Sequence, residues 1–338
     1  MDLSNLPAII TAVIVLAFLA FTGIRLGAQF LVRRLAGLLF VILGVTFITF
    51  ILGFYAPGDA VVAQLGQHYA LKAARIALRH FYGLDLPWYQ QYGNYLWRLL
   101  NFDLGTSWSD RTLSVWDALR LYVPVSSMLG LSSIALSVLI GVPLGMLAAV
   151  RSNTRYDTSI QTIGLALYAV PTFVVIPFFQ LAMVWLSNNN LPHLAVSGWG
   201  TWDTEFAPIT ITAVTSFAFY LRFTRTSLIE VLRQDYVRTA RAKGLNERVV
   251  LWRHAFRNAL LPLITILGPA IGYVVTGLFI TETLFNIPGI GSEALNAIVQ
   301  RDFPVVQGVG ILLAISVAVM NLAADVVYGL VDPRIKVS

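Results

Sequence analysis

"PVSSMLGLSSIALSVLIGVPLGMLAAV", Pro124–Val150, runs for 27 residues without an Asp, Glu, Lys, Arg or His. At about 1.5 Å per residue, such a run makes a helix of about 40 Å, long enough to cross about 30 Å of hydrocarbon. A buried strand would stop after about four to eight residues at a polar turn. Comparable runs lie at about 7–27, 35–55, 159–186, 207–228, 259–281 and 305–330, giving seven candidate spans. The whole chain agrees: 57% of its residues are hydrophobic and 12% charged, against about 25% charged in a soluble domain. The fold class expected is therefore an all-α integral membrane protein. The first run starts "MDLSNLPAII", without a basic leading region or a convincing small-residue cleavage site. It reads as an uncleaved extra helix over 1–28.

The loops set an orientation. Arg25, Arg33, Arg34, Arg151, Arg155, nine Lys/Arg from Arg222 to Arg257, Arg334 and Lys336 fall on one side, 16 in all. The other side holds seven, most of them in the long 56–123 segment, and long loops weigh little in the positive-inside rule. The first side is thus expected in the cytoplasm, with the amino terminus outside and the carboxyl terminus inside. A net charge of +6 does not point to nucleic acid, because the basic residues flank spans. In the 56–123 segment "LKAARIALRHFYGL" reads as an amphipathic helix ending at Gly83. "PWYQQYGNYLWRLLNF" is aromatic enough to lie at the membrane interface, against an extracytoplasmic protein, or on the chain's own helices.

Several chemistries find no motif. The chain has no cysteine, which excludes disulfides and thiol-based sites. It carries no G-x-x-x-x-G-K-[ST] phosphate loop, no H-E-x-x-H and no G-x-S-x-G. His68, His80, His193 and His254 are not spaced as metal ligands. The intramembrane acids are Glu282, near the outer end of the sixth span, and Asp325, in the last one. Each reads either as a proton or cation relay or as structural pairing or solvation at a helix end. The glycines and proline of "ILGPAIGYVVTG" (Ile266–Gly277) fit either a loosened pathway span or helix packing at small residues.

The basic segment "DYVRTARAKGLNERVVLWRHAFRNALLP" (Asp235–Pro262) packs six Lys or Arg and one His between apolar runs. Ser227–Lys243 favours one helix, Gly244 suits a left-handed cap, and Asn246 with Glu247 suits the start of a second helix. The second helix is expected to enter the next span near Asn258. Tyr236, Ala240 and Gly244 fall at i, i+4 and i+8 on one face, where small residues permit close approach. Arg238, Arg241, Lys243 and Arg248 frame that face, and Trp252 and Phe256 form an apolar stripe. Positive-inside bias explains the charges but not the Ala/Gly spacing.

This segment resembles the EAA loop of ABC importer membrane subunits. Aligned on Gly244, Arg238-Thr239-Ala240 stands where the general pattern has Glu-Ala-Ala, and its Leu-Pro is displaced to Leu261-Pro262. The run Tyr236–Leu245 resembles the variant of the dipeptide/oligopeptide/nickel permeases, Tyr-x-Arg-Thr-Ala-Arg-Ala-Lys-Gly-Leu. "APGD" (Ala56–Asp59), "FYGLDLPWYQQYGNYL", "FDLGTSW", "ETLFNIPGIG" (Glu282–Gly291), "RDFPVVQG" (Arg301–Gly308) and "DPR" (Asp332–Arg334) are also similar to that group. Asn101-Phe102-Asp103 replaces the more usual Gly-Asp before Leu104.

The resemblance covers 29–338 and implies a type I ABC importer permease fold, with six core transmembrane helices and the helix at 1–28 as an addition. It implies a second homologous permease in a heterodimer, two ATPase subunits binding ATP and Mg, and an extracytoplasmic solute-binding protein. The setting implied is the plasma membrane of a prokaryote. The chain itself would be no enzyme and hold no cofactor, with 56–123 outside the cell and 229–257 coupling inside it. The coupling residues implied are Tyr236, Arg238, Thr239, Ala240, Arg241, Ala242, Lys243, Gly244, Leu245, Arg248, Arg253 and His254. Ala240 and Gly244 would give close approach to an ATPase groove, and Arg241, Lys243 and Arg248 would give polar contacts. The substrate implied is a di- or oligopeptide, with nickel or glutathione as alternatives. A proton-coupled carrier and a non-transporting scaffold share the topology.

Overall fold

Where prolines and glycines interrupt the apolar runs, the spans bend. The computed structural model describes residues 28–55, 61, 72–110, 112–275 and 277–331. The expected helix at 1–28, "APGD" and "DPR" lie outside the described residues, apart from Ala28. In chain order the helices are α1 (Ala28–Tyr55), α2 (Lys72–Phe81), α3 (Trp88–Leu100), α4 (Val115–Val150), α5 (Arg155–Ala169), α6 (Thr172–Asn188) and α7 (Trp202–Leu232). They continue as α8 (Asp235–Ala242), α9 (Glu247–Ala259), α10 (Leu261–Val274), α11 (Phe279–Phe285), α12 (Ile290–Gln300) and α13 (Phe303–Val331). Within α9, Val250–Phe256 is wound as a π-helix.

By length and composition α1, α4, α7 and α13 each suffice to cross a membrane. The pairs α5/α6 and α9/α10 do so if each bent pair counts as one span. The described residues thus hold four candidate spans, or up to six with the bent pairs, against the six expected for 29–338.

Three elements differ from the sequence reading. The run at 159–186 is not a straight span: α5 and α6 meet at 84°. Pro171 lacks an N–H and pushes Val170 into extended backbone (φ −82°, ψ 116°), which ends the helix. The run at 259–281 stops at Val274, and Gly277 takes φ +94°, a conformation that glycine adopts without strain. Ser227–Lys243 is two helices, broken at Arg233-Gln234. Val231, Leu232, Val237 and Ala240 would spread around a straight helix at about 100° per residue. The break lets all four meet in one small core with Val250.

Two close helix pairs hold the bundle. On α4 the small residues Ser133, Ser137, Gly141 and Gly145 recur every four residues along one stripe and face α7. A Cβ on Gly141 would lie 2.6 Å from the Phe217 carbonyl oxygen, and one on Gly145 2.5 Å from that of Leu221. Ser137 Oγ donates to the Ala213 carbonyl at 3.1 Å across the same seam. Between α10 and α13, Gly268 and Gly272 do the same work, with a Cβ on Gly272 falling 2.6 Å from Val317 Cα. Lipid tails offer no hydrophobic drive for association, so backbone approach at small residues supplies the packing energy. For Gly268 and Gly272, the packing alternative of the sequence reading is the one observed.

Candidate functional site

The basic segment forms a rooted helical turn with an exposed rim. Val237 (0% exposed) and Ala240 (5%) point inward onto Val250, Val231 and Leu232. The α8 helix ends in a Schellman motif: Gly244 N donates to Arg241 O at 2.9 Å and Leu245 N to Ala240 O at 3.4 Å. Gly244 has φ +74°, the left-handed cap expected of it. Asn246 Oδ1 accepts from Arg248 N at 2.9 Å and so caps α9, also as expected. Across the turn Arg241 grips Glu247 with two hydrogen bonds, Nη2–Oε1 at 2.6 Å and Nε–Oε2 at 3.1 Å. This pair holds the Glu247 carboxyl below its ordinary range.

The structure brings the twelve expected residues together but divides them. Ala240 turns its methyl into the segment's own core, so its smallness serves α8–α9 packing and leaves no open approach face at that position. Tyr236, Arg238, Thr239, Arg241, Ala242, Lys243, Gly244, Leu245, Arg248 and Arg253 are exposed, and His254 is half-buried. A side chain at Gly244 would meet nothing within 4 Å, so the turn itself is open to an approaching surface. Leu245 and Val249 are exposed beside it. Tyr236 Oη accepts from Asn258 Nδ2 at 2.9 Å, tying α8 to the end of α9. The π-wound stretch carries Trp252 and Phe256, whose rings meet edge to face at 5.1 Å, and Trp252 is 58% exposed. A π-turn shifts the register between the exposed turn and α10, and such turns recur at functional sites.

Three carboxylates that sequence reasoning undervalued brace this unit and the opposite end of the bundle. Asp157 at the start of α5 forms a two-pronged pair with Arg225 of α7, both contacts at 2.7 Å. Asp157 also accepts from Asn153 N at 2.9 Å and from Gln161 Nε2 at 2.8 Å. The pair fixes the α4–α5 turn against the helix that leads into α8.

Glu282 in α11 is fully buried and not solvated at a span end. It accepts from Leu278 N and Ser126 Oγ at 2.8 Å, Gly291 N at 2.8 Å and Ser292 N at 3.0 Å. Every partner donates, the set that a carboxylate satisfies, and two belong to the first turn of α12. This is the structural-pairing alternative. Asp302, also buried, accepts from Ser107 Oγ, from Trp108 N and Ser109 N at 3.0 Å, and from Ser109 Oγ at 2.6 Å. It clamps the 107–109 loop to the start of α13. The signal available was "ETLFNIPGIG", where an acid precedes a glycine-rich turn that offers N–H groups.

Residues 141–337 match the family described as "Binding-protein-dependent transport system inner membrane component". Residues 27–122 match its amino-terminal companion, "Binding-prot-dependent transport system membrane comp, N-term". The chain is 33% identical to the dipeptide transport system permease protein DppB of Escherichia coli K12, over 91% of this chain and 98% of that protein. It is 35% identical to the DppB protein of Bacillus subtilis 168, over 91% and 98%. To the oligopeptide transport system permease protein AppB of the same organism it is 34% identical, over 91% and 99%.

Proposed function

The chain belongs to the family of binding-protein-dependent transport system inner membrane components, and from that premise we propose that it is half of the translocation pathway of an ATP-driven importer of di- and oligopeptides. The substrate class rests on the named peptide permeases to which the chain is similar. The absent phosphate loop assigns ATP and Mg to separate ATPase subunits and leaves this chain without a catalytic step. A second permease completes the pathway, a solute-binding protein delivers cargo from outside, and the carboxyl terminus faces the cytoplasm.

The single observation that carries the mechanism is the exposed turn at Gly244–Asn246 on a rigid root. Ten of the twelve coupling residues lie exposed on or beside it, while Val237, Ala240 and Val250 fix it to α7 and α9. A push on Leu245, Val249 or the neighbouring Arg side chains passes through the shared core of Val237, Ala240 and Val250 into α9. The π-turn and the 43° bend then carry it to α10, which packs on α13. Binding energy at an ATPase surface is thereby delivered to the spans as a rigid-body tilt.

The test sets a change that the left-handed turn tolerates against one that adds bulk and backbone strain together. Gly244→Asn keeps the left-handed conformation, and importer bearing it should retain ATP-driven uptake of trialanine in proteoliposomes. Gly244→Trp adds a large side chain where the surface is open, and should leave insertion intact while uncoupling ATP hydrolysis from uptake. Normal uptake by the Trp variant would overturn the coupling role.

A further inference from the structure

A groove of about 540 Å³ lies between α5 and α7, near the start of α10, at the end of the bundle that the proposed orientation puts inside the cell. Leu165 and Tyr168 of α5 form one wall. Arg222, Phe223, Thr226 and Glu230 of α7 form the other. The volume falls in the range of about 300–1,000 Å³ typical of small-ligand sites.

Arg222 and Glu230 set this groove apart. Both side chains are exposed, and neither has a hydrogen bond or ion pair among the described residues. One turn further along, by contrast, Arg225 is fully engaged by Asp157. Their spacing of eight residues places the two Cα atoms about 12 Å apart along α7. Opposite formal charges at that separation, with an aromatic ring and hydroxyls between, complement a molecule carrying a carboxylate at one end and an ammonium at the other. An extended chain spans about 3.3–3.6 Å per residue, so a peptide of about three or four residues reaches between them.

We infer that this groove is a peptide site on the cytoplasmic side of the pathway. Arg222 receives the carboxyl terminus and Glu230 the amino terminus, while Tyr168, Phe223 and Thr226 contact the middle without selecting side chains. The inference rests on the peptide reading above and adds the subsite and its polarity. The guanidinium offers a fork of donors that matches a carboxylate. An Arg–Glu pair joined directly would fill the groove with its own charges; the separation leaves both ends for the guest.

The chain has no cysteine, so within this subunit, followed as its own band, one introduced thiol reports on the groove. Leu165→Cys is placed in the assembled importer in inverted vesicles, and its rate of alkylation by a maleimide is followed with added trialanine. Trialanine should slow labelling, and N-acetyl-trialanine amide, which lacks both charges, should not. Adding Arg222→Gln or Glu230→Gln should raise the half-protecting concentration about tenfold or more, as expected when one charged partner is removed. Equal protection by the blocked peptide, or protection unchanged by either Gln variant, would overturn the site. So would an importer that carries trialanine with ATP yet shows no protection. An importer that carries no peptide with ATP would overturn the functional reading itself, and the site with it.

Discussion

Glu282 accepts four hydrogen bonds at a side chain with no exposure. Three backbone N–H groups, from Leu278, Gly291 and Ser292, and the Ser126 hydroxyl all end on its two oxygens. Each donor left unmet in a dry interior costs about 1–3 kcal/mol, so Glu282→Leu should destabilise the chain by several kcal/mol. Glu282→Gln keeps the shape and one acceptor oxygen but turns an amide against two backbone donors, so an intermediate loss is expected. Thermal unfolding of the detergent-purified importer would rank the two. A proton-relay role makes the opposite forecast: Glu282→Gln would keep its melting temperature and lose uptake. The span-end position in the sequence suggested both possibilities. Burial and the all-donor shell favour the structural one.

The elements differ in how well the sequence announced them. Long apolar runs needed only length to be recognised, which is why α1, α4, α7 and α13 match their expected positions. The bends were signalled at Pro171 and Gly277, but apolar residues on both sides masked them, since hydropathy is blind to backbone direction. The cap at Gly244 and the start at Asn246 were legible because both are local chemistry. The break before Asp235 was not, because it is set by where Val237 and Ala240 find partners, and Val250 lies ten or more residues away. That core makes a prediction for α8. Val237→Asp places an unpaired carboxylate in a site with no exposure and no donor, a cost of several kcal/mol. It should unseat α8, raise proteolysis between Arg233 and Arg248, and abolish coupled uptake. Arg241→Ala removes a brace that is about half exposed and screened by solvent, worth about 1 kcal/mol or less. It should leave α8 seated and lower uptake only modestly. Similar proteolysis of the two variants would show that the core does not root the helix.

At the scale of the whole molecule, long-range bonds define two ends independently of the charge count. At one end Asp157 joins the α4–α5 turn to Arg225, and α7 leads directly into the basic α8–α9 turn. At the other, Asp302 pins the 107–109 loop to α13, beside α3 and its Trp88 and Trp97. The α4 helix connects the two ends; its 36 residues make about 54 Å, more than the hydrocarbon core requires. Arg151, Arg155, Arg233, Arg238 and Arg248 all gather at the Asp157 end, so the positive-inside rule applies to a physical face of the bundle. This yields a forecast with no free choice of sign. In the cysteine-free chain, Lys243→Cys on the basic turn should react with a membrane-impermeant maleimide only in inverted vesicles. Gln90→Cys, exposed on α3, should react only in intact spheroplasts. The reverse pattern would put the Gly244 turn outside the cell, where no ATPase can reach it, and would remove the coupling mechanism and the inward-facing peptide groove together.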